Sequence, residues 1–252
     1  MRTFFHVKGG RVEEVKGEVV REQPLTLYVN GERFLTLLCS PFQLEALVVG
    51  YLWMEKVIGD LEEVAALSVS EVDGRADVTL TRPVTLPAER ILTSGCGGGI
   101  TFRIDPRLFP RLSSPLTVRP AILAARLKDL FAAAAHYRAS RGIHGAALTD
   151  GERLLFVAED VGRHNAVDKV KGQALFAGVE TAGRILLSTG RISSEMLLKA
   201  ARMGVPVVAS RTSPTEMAVG LAEQLGITVI GYVRPDSLNL YAGDALVTDQ
   251  DA

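Results

Sequence analysis

The sequence predicts an α/β protein, with a mostly parallel sheet in its C-terminal lobe and a smaller α+β lobe before it. Two observations support this expectation. Short β-rich runs alternate with helical stretches in the second half, an order typical of parallel strands joined by right-handed crossovers. Gly204 and Gly226 stand where glycines commonly end helices. The β-rich runs cover residues 184–187, 205–209 and 227–231, and the helices between them cover 194–203 and 215–225.

The first 92 residues are expected to form short strands around one helix. Asn30-Gly31 is a strong hairpin-turn dipeptide between two alternating runs. Ser40-Pro41 resembles a helix start, with a capping side chain followed by proline at the first helical position. Apolar residues then recur at helical spacing, and the helix is expected to end near residue 58.

A linker is predicted where prolines and serines accumulate, around Pro106, Pro110 and Pro115. The C-terminal lobe should begin with a long helix, followed by a strand pair around a turn and by a second helix. The predicted boundaries are 1–104 for the N-terminal lobe, 105–119 for the linker and 120–252 for the C-terminal lobe. Within the C-terminal lobe the helices are expected over 120 to about 137 and over 164–176, with the turn at 150–151.

Composition narrows the possible partners. The chain has 252 residues and a net charge of −1, so it has no global basic field to attract nucleic acid or a membrane surface. No uncharged run approaches the roughly 18–20 residues of a membrane span, and the N-terminus does not resemble a signal peptide. Two cysteines do not make a disulfide framework. We therefore expect a reduced, cytoplasmic protein that binds neither nucleic acid nor membrane.

Cys96 stands among four glycines in the segment Thr93–Ile100. Glycines allow the backbone to approach a ligand closely, and successive backbone N–H groups can converge on an anion such as a thiolate or a persulfide. A flexible turn with an incidental cysteine explains this segment equally well on its own. The other cysteine, Cys39, lies in an apolar run and is expected to be buried and inert.

Arginines follow four predicted strands of the C-terminal lobe. Arg163, Arg191, Arg211 and Arg234 each come shortly after a strand end, and ligands of parallel sheets bind at that edge. Because guanidinium groups suit phosphate oxygens, the four together predict a site for a phosphate-bearing, nucleotide-like ligand. Any single strand end is explained as well by helix capping and a solvated arginine. The chain has no P-loop or GxGxxG pattern.

The polar stretch between residues 159 and 165 separates a predicted strand from a predicted helix. His164 could donate a proton or orient a ligand there, although a histidine in such a place is more often a structural hydrogen-bonding group. Lys169 and Lys171 are expected to be solvated helix lysines rather than phosphate ligands.

The same stretch carries a resemblance. Glu159–Lys169, with the sequence EDVGRHNAVDK, resembles the hallmark segment of the formate dehydrogenase accessory sulfurtransferases, the FdhD family. The resemblance extends over nearly the whole chain, from about Glu22 to Val247. Supporting segments are Pro24–Gly31, Leu38–Pro41, Val49–Leu52, Ser188–Met196, Lys199–Ala201 and Gly231–Arg234.

The resemblance implies a sulfur carrier between a cysteine desulfurase and the molybdenum bis(molybdopterin guanine dinucleotide) cofactor, needed for formate dehydrogenase activity. Sulfur would travel as a persulfide on Cys96, and the cofactor would be bound as a substrate. The resemblance also implies a C-terminal lobe similar to cytidine deaminases, without their zinc chemistry, and a homodimer. The family's cofactor-binding stretch falls on Tyr232, Val233, Arg234, Pro235, Asp236 and Ser237.

One position departs from the family pattern. Many relatives carry Cys-Gly-x-Cys in the loop, whereas here Cys96 matches the first cysteine and Gly99 stands at the second. A persulfide needs one sulfur atom, so transfer remains possible, but a step that uses a second loop thiol is in doubt. Two other functions stay open. One is a chaperone that only binds the cofactor, and the other is a hydrolase or deaminase, against which the absence of zinc-ligand and Ser-His-Asp patterns counts.

Overall fold

The computed structural model describes residues 1–85, 91–92, 100–101 and 109–247. The strands are β1 Arg2–Lys8, β2 Arg11–Gly17, β3 Gln23–Val29, β4 Glu32–Cys39, β5 Val64–Ser70, β6 Arg75–Leu80, β7 Ile91–Leu92, β8 Ile100–Thr101, β9 His144–Thr149, β10 Leu154–Asp160, β11 Ile185–Ser188, β12 Val207–Ser210, β13 Thr228–Gly231 and β14 Asn239–Ala242. The helices are α1 Leu44–Met54, α2 Pro120–Ala133, α3 Ala135–Ser140, α4 Arg163–Phe176, α5 Ser194–Arg202 and α6 Glu216–Leu225. None of these described helices has the length and apolar character needed to cross a membrane.

The large C-terminal sheet is mixed, so the expectation of a mostly parallel sheet is wrong. Its order is β10-β9-β11-β12-β13-β14, and only the β11–β12 and β12–β13 pairings are parallel. The other three pairings are antiparallel. The strand–helix–strand rhythm correctly predicts the three central strands. The short connections before β10 and β14 reverse the chain instead, and a tight connection can join only antiparallel neighbours.

The mixed sheet still brings four strand ends to one edge. Strands β10 and β11 both run antiparallel to β9, so β10 points the same way as β11, β12 and β13. The carboxyl ends of these four strands therefore lie along one edge, which we call the carboxyl edge. Helices α4, α5 and α6 pack on one face of the sheet and α2 packs on the other.

The N-terminal sheet has the order β4-β3-β6-β5, and α1 packs on it to form a separate apolar core. Asn30 and Gly31 form the predicted hairpin turn, both with positive φ. The helix start predicted at Ser40-Pro41 is wrong, because α1 begins at Leu44 after a left-handed Gln43. Strands β1 and β2 form a two-stranded sheet of their own.

The lobe boundaries drawn from the sequence and the resemblance to cytidine deaminases stay predictions. Residues 105–108 of the predicted linker lie outside the described part of the chain. The rest of that stretch contacts the C-terminal lobe, since Leu112 N–H donates to the Leu225 carbonyl and Val118 N–H donates to the Ala245 carbonyl.

Helices α1 and α4 cross with their backbones almost touching. A Cβ atom on Gly50 would overlap the Asp168 carbonyl oxygen, and one on Gly172 would overlap the Ala46 carbonyl oxygen. Both glycines are needed for this close approach, since even a methyl group would force the helices apart. The contact joins the core of the N-terminal sheet to the helix that lies against the C-terminal sheet.

We expect Gly172→Ala to lower the free energy of unfolding by about 2–3 kcal/mol, because overpacking a rigid interface strains it. Gly220→Ala is the matched control. Gly220 lies inside α6 with no atom near the added methyl group, so this change should raise stability by about 0.5–1 kcal/mol through helix propensity. Urea unfolding of both variants measures the difference, and equal stability would contradict the close helix contact.

Candidate functional site

A buried ion pair lies where β10 passes into α4. Lys169 Nζ is 2.6 Å from Asp160 Oδ2, and both side chains are fully buried. Three N–H groups also donate to this carboxylate: Ser40 N at 3.0 Å, Gly162 N at 2.8 Å and Asn165 Nδ2 at 2.9 Å. Such complete hydrogen bonding is what a buried charge pair requires if its desolvation cost is to be offset.

The same contacts join the two lobes. Ser40, directly after β4, accepts the Val161 N–H on its Oγ at 3.0 Å. Asn165 Nδ2 donates to the Leu38 carbonyl at 2.8 Å, and Lys169 Nζ to the Ser40 carbonyl at 3.4 Å. We call Ser40, Asp160, Asn165 and Lys169 the interlobe network. It explains why Ser40 caps no helix, and it shows that the expectation of a solvated Lys169 is wrong.

Lys171 is buried as well, so its predicted exposure is also wrong. Its ammonium group lies 3.9 Å from the centre of the Trp53 ring, on the N-terminal lobe's helix. Burial lowers the pKa of Lys171. The lysine therefore packs α4 against α1 and does not face a ligand.

Cys39 ends β4 next to this network and is fully buried, which confirms its predicted position in the core. Burial, followed by the negative charge of Asp160, raises the pKa of the Cys39 thiol to about 12. Since the thiolate is the reactive form of cysteine, Cys39 is protonated and inert near neutral pH.

His164 sits in a buried polar cluster between α4 and α5. Its Nε2 atom is 3.1 Å from Ser193 Oγ and 3.2 Å from Glu195 Oε2. Burial, with the positive charges of Lys199 and Arg163 adding to it, lowers the pKa of His164 to about 2. The imidazole is therefore neutral, which favours the structural role over that of a proton donor.

This serine, histidine and glutamate are close in space, which no sequence spacing revealed. A hydrolytic triad uses one imidazole nitrogen for the serine and the other for the acid. Here Ser193 and Glu195 both contact the same nitrogen. Ser193 also caps α5 by accepting the Met196 N–H. The geometry does not favour hydrolysis.

Two of the predicted arginines lie towards one end of the carboxyl edge. Arg163 begins α4 and is buried, whereas Arg191 follows β11 and is exposed. The charges of both arginines act on His144, which lies at the start of β9. Burial is the main cause that lowers the pKa of His144, and the charges of Arg163 and Arg191 act in the same direction.

The other two predicted arginines lie side by side. Arg211 Nη1 donates to the Val233 carbonyl at 2.9 Å, and Arg234 Nη1 donates to the same oxygen at 3.0 Å. Arg234 also donates to the Arg211 carbonyl at 2.8 Å. Burial and then the charge of Arg234 lower the pKa of Arg211. We call these two residues the arginine pair.

The arginine pair opens into a cavity of about 730 Å³ between the carboxyl edge and helices α2 and α3. Of the predicted stretch 232–237, only Val233, Arg234 and Pro235 line it. Tyr232 is exposed and has a positive φ of 50°, an uncommon conformation for a tyrosine. Among the described residues, no acidic side chain lines the cavity, and five basic ones do: Lys128, Arg138, Arg141, Arg211 and Arg234.

Of the four arginines expected at one site, the structure places Arg211 and Arg234 together on this cavity, whereas Arg163 and Arg191 are not among its lining residues. Cys96 and Gly99 lie outside the described residues, so the predicted sulfur-carrying role of Cys96 stays a prediction. Sequence reasoning missed the basic residues on α2 and α3. The only signal that the sequence offers is the pair Arg138 and Arg141, three residues apart, with Lys128 ten residues before the first of them.

The chain is similar to known proteins over nearly its whole length. The family model described as the FdhD/NarQ family matches residues 20–248. The sulfur carrier protein FdhD of Bacillus subtilis (strain 168) is 38% identical over 96% of this chain and 94% of its own length. That of Bacillus pumilus (strain SAFR-032) is 38% identical over 98% and 97%.

A solved structure is also similar throughout. It is a crystal structure from Desulfotalea psychrophila, described as a formate dehydrogenase accessory protein, with a TM-score of 0.81 and 27% identity. The match covers 98% of each chain. The similarity therefore includes both lobes.

We expect Lys169→Met to lower the free energy of unfolding by about 3–5 kcal/mol, because it leaves the Asp160 carboxylate buried without its cation. Lys8→Met, at an exposed position, should change stability by no more than about 0.5 kcal/mol. The double variant Asp160→Asn, Lys169→Met removes both charges and should be more stable than Lys169→Met alone. Chemical unfolding tests this order, and a double variant that is less stable than Lys169→Met would contradict it.

Proposed function

The chain belongs to the FdhD/NarQ family, and we propose that it is a sulfurtransferase that carries sulfur for a formate dehydrogenase. Its relatives of similar length are named sulfur carrier proteins. The observation that carries the proposal is the state of the Cys39 thiol. Cys39 is buried, with a pKa of about 12, so Cys96 is the one cysteine left to accept sulfur.

The first step is a persulfide exchange with a cysteine desulfurase. The Cys96 thiolate attacks the outer sulfur of the desulfurase persulfide, and a new S–S bond forms on Cys96. The old S–S bond breaks, and the desulfurase cysteine leaves as a thiolate. Electrons and atoms balance without an external oxidant, and the glycines around Cys96 permit the close approach that the exchange needs.

The acceptor in the second step is the molybdenum bis(molybdopterin guanine dinucleotide) cofactor, bound as a substrate. The residues present fit such a ligand, because the arginine pair lines a cavity to which the described residues contribute basic but no acidic side chains, and guanidinium groups bind phosphates bidentately. The loop at 232–237 would hold one nucleotide arm. Arg163 and Arg191, further along the carboxyl edge, would serve a second arm.

The outer sulfur passes to molybdenum, and Cys96 returns as a thiolate. Because Gly99 replaces the second loop cysteine and Cys39 is inert, a dithiol cannot supply the electron pair that turns this sulfur into sulfide. The pair must then come from the metal of the substrate or from an external thiol. Two expectations complete the proposal: the composition predicts that the chain works in the cytoplasm, and the family resemblance predicts a homodimer.

A cofactor-binding chaperone is the second candidate. The described residues that line the cavity include the arginine pair, and a protein that only binds the cofactor would need no thiol on Cys96. The two candidates differ in one respect, namely whether Cys96 itself receives sulfur.

Incubation with a cysteine desulfurase and cysteine should add one sulfur atom to Cys96, as read by peptide mass spectrometry. Cys96→Ala should receive none and should not support formate dehydrogenase activity. Cys39→Ala is the matched control and should be sulfurated like the unmodified protein, because Cys39 is buried. Full formate dehydrogenase activity with Cys96→Ala would reject the carrier and favour the chaperone.

Guanosine diphosphate should raise the melting temperature of the protein, because it carries the phosphates and base of one cofactor arm. Arg234→Ala should reduce this shift by removing a phosphate ligand from the arginine pair. Arg153→Ala removes the same charge from the turn at the opposite edge of the sheet and should leave the shift unchanged. Thermal unfolding monitored by circular dichroism measures it, and no shift for the unmodified protein would argue against the site.

A further inference from the structure

The cavity beside the arginine pair has a second wall. It is formed by α2 and α3, and we call it the helical wall. Its basic members are Lys128, Arg138 and Arg141. Phe131 and Tyr137 lie among them, with their ring centres 5.3 Å apart.

The helical wall is held in place by Glu159, the residue before Asp160. The Glu159 carboxylate accepts the His136 N–H at 3.1 Å and the Tyr137 N–H at 2.6 Å. A single helix was expected to run to about residue 137, but α2 ends at Ala133 and α3 starts anew at Ala135. The carboxylate compensates the N–H groups that such a break exposes.

A second contact fixes α3 from the N-terminal lobe. The Phe42 ring stacks on the His136 ring, with centres 4.2 Å apart and planes 9° from parallel. Arg138 and Arg141 are therefore carried on a short helix that is anchored at its start by both lobes. Arg141 itself ends α3 in a left-handed conformation, with φ of 54°.

The described residues do not balance the charges of the two walls. In this part of the chain, five basic side chains and no acidic one line the cavity. Among the described residues, these five form none of the ion pairs that the other arginines and lysines make. Gathering like charges costs free energy, and a bound polyanion would offset that cost.

We propose that the helical wall is a phosphate-binding subsite, so that a diphosphate ester binds between Lys128, Arg138 and Arg141 on one side and the arginine pair on the other. The proposal rests on the proposed function and deepens it by assigning ligand contacts to α2 and α3. Two facing cationic walls suit a ligand with two linked phosphate groups better than a ligand with a single phosphate group. A volume of about 730 Å³ is within the usual range of about 300–1,000 Å³ for small-molecule sites, and the Phe131 ring offers an apolar surface for the organic part.

The test uses titration calorimetry of the full-length protein with inorganic phosphate, pyrophosphate, guanosine and guanosine diphosphate. Pyrophosphate should bind at least about tenfold more tightly than phosphate. The double variant Arg138→Gln, Arg141→Gln should weaken binding of pyrophosphate and guanosine diphosphate by about 10- to 100-fold, the equivalent of one or two charge-assisted hydrogen bonds. Any binding of guanosine should be unchanged, because the variant removes only charge.

Two controls keep the result specific. Arg153→Gln removes a charge at the far edge of the sheet and should bind every probe as the unmodified protein does. Lys128→Gln, on the intact α2, repeats the test without touching α3 and should weaken diphosphate binding about tenfold. Arg138 and Arg141 are both exposed, so the double variant should keep the unfolding midpoint of the unmodified protein. If its midpoint falls, the result with Lys128→Gln decides whether the helical wall binds diphosphate.

The outcomes separate this proposal from the one it rests on. If Arg234→Gln loses diphosphate binding while the α3 double variant and Lys128→Gln retain it, the helical wall is not a subsite and the proposed cofactor site stands. If the unmodified protein binds neither pyrophosphate nor guanosine diphosphate, both the subsite and the cofactor site are overturned. Sulfuration of Cys96 is measured independently and is not affected by either result.

Discussion

The buried Asp160–Lys169 pair is the interaction on which the arrangement of this protein depends. It lies where the N-terminal lobe meets the C-terminal sheet, and its hydrogen bonds reach Ser40 in one lobe and α4 in the other. The residues next to it extend its influence. Glu159 holds the start of α3, and Arg163 begins α4 at the carboxyl edge. One short segment thus joins the lobes, shapes one wall of the cavity and places the first of the four arginines.

Turns and helix ends that depend on the conformation of one or two residues can be predicted from the sequence. The Asn30-Gly31 turn needs two residues that accept positive φ, and Gly226 ends α6 for the same reason. Ser40-Pro41 carries an equally clear local signal for a helix start, but no helix starts there. Ser40 instead forms a hydrogen bond with Asp160, 120 positions later in the chain. The burial of Lys169 likewise depends on a carboxylate and a carbonyl that helical periodicity does not reveal. Tertiary contacts override propensity wherever a better partner is brought close.

At the candidate site, too, some features can be predicted from the sequence, whereas others depend on tertiary contacts. The arginine pair could be predicted because strand ends converge at one edge, and that convergence survives even though the sheet is mixed. The helical wall could not be predicted, because it depends on the break between α2 and α3. Glu159, which lies in β10, stabilises that break. The contacts of His164 with Ser193 and Glu195 are a third case, since only folding shows that both reach the same ring nitrogen.

The crossing of α1 and α4 bears on how sulfur can travel. Where two helices meet backbone to backbone at Gly50 and Gly172, neither can slide or tilt without breaking the contact. A hinge motion between the lobes would therefore be costly. Successive docking of a sulfur donor and a sulfur acceptor on the same arrangement of the lobes would need no such motion.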